Sequence, residues 1–75
     1  MAWQRGQKIT ALWANNQQFN AWAWVDGIGW RNCDASNNTT NLLICCAHAK
    51  SDGSFVDFDE DTSGSRPLIK EIYVW

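Results

Sequence analysis

The sequence predicts an α+β fold, mainly β, in which five strands and one helix follow the order β-β-β-α-β-β and form a five-stranded curved sheet or small barrel. Three observations carry this. Apolar and polar residues alternate over several short stretches, as half-buried strands require. An Asp-Gly pair sits between two such stretches, where both residues tolerate the positive φ of a tight hairpin turn. Residues 39–51 (TTNLLICCAHAKS) abandon alternation for helical spacing, and Gly53 stands where a helix C-cap belongs.

Residues 8–14 (KITALWA) form the first predicted strand, with Ile9, Ala11 and Trp13 on one face and Thr10, Leu12 and Ala14 on the other. That apolar stripe assigns Trp13 to the core. Asn15-Asn16-Gln17-Gln18 is a polar, turn-prone run, so the chain folds back into a second strand beginning near Phe19 or Asn20. Trp22 and Trp24 leave one face of this strand, Ala21, Ala23 and Val25 the other. Asp26-Gly27-Ile28-Gly29 turns the chain into a third strand that ends near Cys33. A two-residue turn would pair Ala23 with Trp30, and a three-residue loop would pair Trp24 with Trp30. Residues 34–38 are rich in capping residues and lead into the helix, whose stripe of Leu42, Cys45, Cys46 and Ala49 faces the core with Leu43 at its edge. Ile44 falls on the polar side, either covered by a neighbouring subunit or as an ordinary exposed residue. Residues 54–59 and 68–75 complete the sheet, the last with Leu68, Ile72 and Val74 inward.

Seventy-five residues make one domain, close to the lower limit for a self-sufficient apolar core, so the six Trp carry a large share of any burial. A net charge of −2 without a Lys/Arg cluster excludes a phosphate-binding face and hence nucleic acid. No apolar run approaches the ~18 residues of a membrane helix, so no membrane insertion is expected. The first residues (MAWQRGQK) lack the apolar segment of a signal peptide, which fits a cytoplasmic protein or a mature secreted one.

Two resemblances add to this reading. The helix, followed by Ala49-Lys50-Ser51-Asp52-Gly53, then Phe55-Val56-Asp57-Phe58 and Ile69-Lys70-Glu71-Ile72-Tyr73-Val74, resembles the C-terminal half of bacterial toxin B-subunit-like proteins. That resemblance implies an OB-like barrel, ring-like homo-oligomers, glycan binding and secretion. This chain lacks the family's paired cysteines. Val25-Asp26-Gly27-Ile28-Gly29-Trp30 is similar to the Trp-Asp-Gly-x-Gly-Trp hairpin of fucose-binding lectins, with Val25 in place of the first Trp.

The candidate ligand site is an aromatic platform of Trp22, Trp24 and Trp30, on which the C–H face of a sugar stacks while Asn20, Asp26, Arg31 and Asn32 bind its hydroxyls. Trp24, beside Trp22, Asn20 and Asp26, is the expected ligand contact. Packing of the same rings into the core is the competing reading. Cys33, Cys45, Cys46 and His48 lack the spacing of a zinc site. A bridge from Cys33 to Cys45 or Cys46 would leave an odd thiol, so buried reduced thiols are expected. Cys45 and His48 lack an orienting group and an oxyanion hole, so no catalysis is assigned. Asp57, Asp59 and Asp61 imitate a calcium loop, but Thr62 and Leu68 occupy its Gly and Glu positions. The sequence therefore reads as a non-enzymatic, lectin-like module for a glycan or glycoconjugate, without cofactor or metal. Ile44 and Tyr73-Val74-Trp75 are more apolar surface than so small a monomer should expose, which predicts a homo-oligomer. A structural or protein-interaction domain, its Trp residues serving as core and interface anchors, is the alternative.

Overall fold

The computed structural model describes residues 2–75 as β1 (Ala2–Ala14), β2 (Ala21–Val25), β3 (Gly29–Cys33), α1 (Thr39–Asp52), β4 (Phe55–Asp61) and β5 (Leu68–Val74). The strands close into a barrel in the order β1-β2-β3-β5-β4, antiparallel throughout except for β3 beside β5. This is the expected α+β, mainly β pattern, and it is compatible with an OB-like barrel.

Closure depends on β1, which begins at Ala2 rather than near Lys8. Its first half pairs with β4 (Trp3 opposite Asp59, Gln4 opposite Phe58) and its second half with β2 (Leu12 opposite Ala23, Trp13 opposite Trp22). A strand that serves both neighbours must bend, and the register shifts twice along it, between Gln4 and Gln7 and between Ile9 and Ala11. At the first bulge Gly6 takes φ 65°, where a Cβ would be strained, and its freed amide donates to Asp57 Oδ1 at 2.8 Å. The second bulge reverses the alternation. Ile9 stays inside, but Leu12 then packs on the core and Trp13, expected inside with Ile9 and Ala11, points out with 46% of its surface exposed.

The interior is one apolar cluster: Ile9, Ala21, Ala23, Val25, Cys33, Val56, Phe58 and Ile69 from the strands, sealed by Leu42, Cys46 and Ala49 of α1. The helical stripe is thus as expected except that Cys45 is only half-buried, and Ile44 is 62% exposed. Asn38 makes no side-chain cap; instead the Thr39 hydroxyl bonds back to the Asp34 and Ser36 carbonyls, tying the helix to the end of β3. Gly53, left-handed at φ 66°, ends α1 by donating to the Ala49 and Lys50 carbonyls. A third register shift, between Asp59 and Glu60, leaves Lys70 as the extra residue of β5. Ile69 is consequently buried alongside Ile72 and Val74, and Leu68, expected inward, is half-exposed.

Arg31 lies opposite Ala23 and therefore faces the interior, where its Nε donates to Glu60 Oε2 at 2.8 Å while Gln4 Nε2 donates to Glu60 Oε1 at 2.8 Å. Both carboxylate oxygens are satisfied, which is what permits a charge in so dry a position. Asp57 and Asp59 lie within the β4 ladder, so the residues that imitate a calcium loop have no loop to form. Among the described residues no cluster of three or more His, Cys, Asp or Glu is placed to hold a metal, and no helix is long and apolar enough to cross a membrane.

Candidate functional site: an aromatic cleft on β1, β2 and β3

The hairpin closes through the three-residue loop Asp26-Gly27-Ile28, with Ile28 N–H donating to the Val25 carbonyl at 3.0 Å. Trp24 therefore lies opposite Trp30. Because inward Ala21, Ala23 and Val25 alternate with outward Trp22 and Trp24, the outer face of the hairpin is aromatic, and the bulge in β1 adds Trp13 directly opposite Trp22. Trp13, Trp22 and Trp30 line an open cleft of about 390 Å³, the lower end of the range for small-ligand pockets. Trp24 stands outside this lining. Its ring meets Trp30 edge to face, 5.5 Å between centroids at 80°, and so braces the cleft wall.

A chain of amides from the β1–β2 turn reaches Trp22. Trp22 Nε1 donates to Asn20 Oδ1 at 2.9 Å, which fixes the indole plane. Asn20 Nδ2 in turn donates to Gln17 Oε1 at 2.8 Å and to Asn15 Oδ1 at 3.3 Å. Phe19, just before Asn20, holds a φ of 58°, a left-handed conformation that costs a non-glycine residue roughly 1–2 kcal/mol and turns the chain sharply into β2. Sequence reasoning found Asn20 but missed Trp13, Asn15 and Gln17; the polar run 15–18 signalled a turn and gave no sign of an amide relay.

The remaining predicted site residues divide. Asn32 lies directly opposite Trp22, fully buried, and its Nδ2 donates to the Ala21 carbonyl at 2.9 Å. Its Oδ1 is the single buried side-chain polar atom without a partner among the described residues. Asp26 is exposed at the other end of β2 from Asn20. Arg31 is on the opposite face altogether, committed to Glu60. Among the described residues the cleft lining is therefore three indoles, with the Asn20 amide held against the Trp22 N–H.

A second aromatic surface occupies the outer face of β1, β4 and β5. Trp3 and Tyr73 stand 5.8 Å apart, Tyr73 and Trp75 stack at 5.8 Å and 18°, and the Arg5 guanidinium lies 5.5 Å from the Trp3 ring. Asp57 sits below this ladder. The Gly6 amide, with Trp75 and Arg5 as further donors, holds its carboxyl below the ordinary Asp range against the opposing effect of burial.

No protein-family description matches this chain, and no curated protein matches it closely enough to count as a relative.

Proposed function

We propose that the chain is a non-enzymatic glycan-binding module that holds a neutral sugar in the Trp13–Trp22–Trp30 cleft. The observation that carries this reading is a cleft lined by three indoles, one of them, Trp22, hydrogen-bonded to the Asn20 amide, which in turn bonds to Gln17. Indole faces take the C–H side of a pyranose, and amides both donate to and accept from its hydroxyls. A polyanion would need cations, and among the described residues none lines the cleft. The resemblances to toxin B-subunit-like proteins and to fucose-binding lectin hairpins point to the same ligand class.

Single-site sugar affinity is weak, and repetition of sites in a homo-oligomer raises it by several orders of magnitude. The Trp3–Tyr73–Trp75 ladder suits contact with a second copy. It presents a cation, Arg5, and an exposed acid, Glu71, beside large exposed rings, the self-complementary mixture that a two-fold interface requires. The test of the binding reading is titration of intrinsic Trp emission with a panel of neutral monosaccharides, repeated on a glycan array. A saturable shift that Trp22→Ala removes is the expected result. Absence of any response, together with a stable oligomer, would favour the structural or protein-interaction role instead.

A further inference from the structure

The outer face of β4 carries two acids beneath the aromatic ladder. Asp57 and Asp59 alternate with the core residues Val56 and Phe58, so both point outward, yet they are only 8% and 6% exposed. The cause lies in the strands on either side. Trp3 of β1 is opposite Asp59, and Tyr73 of β5 is opposite Asp57. Strands separated by a third lie roughly 10 Å apart, but the Trp3 and Tyr73 rings stand 5.8 Å centroid to centroid, so they lean together over β4.

The two carboxylates are not equally served. Asp57 accepts from the Gly6 amide at 2.8 Å and from Arg5 Nη1 at 3.2 Å. Asp59 has no such partner among the described residues: their ion pairs are Arg5–Asp57, Arg31–Glu60, His48–Asp52 and Lys70–Asp34, and the nearby Gln4 amide donates to Glu60. Lys8, the other cation of β1, lies over the Phe55 ring and donates to the Gly53 carbonyl. Nor is Asp59 sealed from the surface, because the single fully enclosed side-chain polar atom without a partner among these residues is Asn32 Oδ1. A carboxylate that is nine-tenths buried, open at its tip and unpaired lacks a counter-charge.

We propose that Asp59, with Glu71 opposite it on β5 and the Trp3 and Tyr73 rings beside it, is a subsite for the cationic end of a lysine or arginine side chain presented by a basic segment of a partner protein. The inference does not depend on the sugar reading. Aromatic faces attract a cation, as the Arg5 guanidinium 5.5 Å from the Trp3 ring already shows. Of the three acids on this face, Asp57, Asp59 and Glu71, only Asp57 has a cation among the described residues. No three acids among them are placed to hold a metal, so the complement is an organic cation. The face is also open, with Tyr73 and Trp75 exposed, which suits a side chain anchored by the rest of its own chain; a small free cation needs an enclosing pocket.

The test is calorimetric titration with a tri-arginine peptide, acetylated and amidated at its ends, at a protein concentration where sedimentation shows monomer. Saturable binding of one peptide per chain is expected, falling as salt rises and absent for a tri-glutamate peptide. Asp59→Asn keeps the shape and removes the charge, and should weaken binding at least about tenfold. Glu71→Gln, at an exposed position that leaves the fold alone, should weaken it at least about threefold, while Asp26→Asn, the same charge change in the distant hairpin turn, should alter it less than about twofold. No binding of tri-arginine, binding that Asp59→Asn and Glu71→Gln leave intact, or an equal loss in Asp26→Asn would overturn the proposal. Loss of self-association in Asp59→Asn, with no peptide bound by the unaltered chain, would overturn it in favour of a second copy as the occupant.

Discussion

The Trp13–Trp22–Trp30 cleft and the Trp3–Tyr73–Trp75 ladder use opposite halves of the same strand, β1, and similar numbers of exposed rings, yet their surroundings have little in common. In the cleft the rings stand around an open concavity, Trp24 braces Trp30 edge to face, and the Trp22 N–H is held by the Asn20 amide. In the ladder Trp75 stacks on Tyr73 and Trp3 tilts against it at 30°, and their neighbours are Arg5, Asp57 and the exposed Glu71. Exposed aromatic surface is therefore two kinds of object on one small barrel. A cleft with neutral donors and acceptors suits a small polar ligand; a charged, stacked surface suits a macromolecular partner. Trp75, 69% exposed, is stacked on Tyr73 beside the Asp57 carboxylate, whereas Trp22 is half-buried and its N–H donates to an amide, Asn20 Oδ1.

The largest effect is expected from the element on which both faces rest. Arg31 of β3 reaches Glu60 of β4 through the interior, the two side chains being 18% and 8% exposed. Arg31→Met leaves the Glu60 charge with only Gln4, and should destabilise the fold by about 3–5 kcal/mol in urea denaturation. Cleft and ladder should then melt together, as one transition by Trp emission and by far-UV circular dichroism. Two separate transitions would break the comparison at its root, because the faces would belong to independently stable halves.

Next comes the division of labour itself. Trp22→Ala removes the central cleft wall and should weaken sugar binding by about a hundredfold or more, while Trp75→Ala should change it by less than about twofold. Sedimentation should show the reverse, with Trp75→Ala lowering self-association and Trp22→Ala leaving it unchanged. Equal losses of sugar binding in both variants would mean that the two surfaces form one site.

Much of this architecture was legible in the sequence, and what escaped did so for one physical reason. The Asp26-Gly27 turn, the alternation of Ala21, Ala23 and Val25 with Trp22 and Trp24, and the Gly53 cap are local preferences that the barrel keeps. The three register shifts, near Gly6, Thr10 and Lys70, are demanded by closure of the sheet, a non-local requirement with no compositional signature beyond Gly6. Each shift exchanges the faces of everything beyond it. That is how Trp13 moves from core to cleft and how Ile69 replaces Leu68 inside. Arg31 is a different case, since its alternation with Trp30 and Asn32 already placed it off the platform, and only its nearness to Trp30 in the chain recommended it.

The reassignment of Trp13 sharpens the comparison by a smaller effect. A core Trp truncated to Ala costs about 3–5 kcal/mol, but Trp13 is nearly half exposed, so Trp13→Ala should cost under about 2 kcal/mol. Leu12→Ala, one residue earlier but turned toward the core, should cost at least as much despite the smaller side chain. Chemical denaturation of the two variants at one temperature decides whether the bulge at Thr10 sets the faces as described.

The smallest effect separates the two surfaces by pH. No indole or amide of the cleft titrates, so sugar binding should be flat from about pH 5 to 8. The ladder rests on Asp57, whose carboxyl accepts from the Gly6 amide at 2.8 Å and from Arg5 Nη1 at 3.2 Å. Those donors favour the charged form and lower its folded pKa, so protons bind the unfolded chain more readily than the folded one. The stabilisation is then complete above the unfolded Asp value of about 3.9 and fades as pH falls through the lower folded value. Asp57→Asn keeps an acceptor for Gly6 but loses the charge. Its urea midpoint should lie below that of the unaltered chain at pH 7, and the gap should narrow steadily below about pH 4. Comparison with Asp61→Asn is informative, because Asp61 is also held low, by hydrogen bonds from Ser63, but lies at the end of β4 away from the rings. If the gap for Asp57→Asn stayed constant with pH, the carboxylate would serve the bulge by shape alone, and the charge would not distinguish the ladder from the cleft.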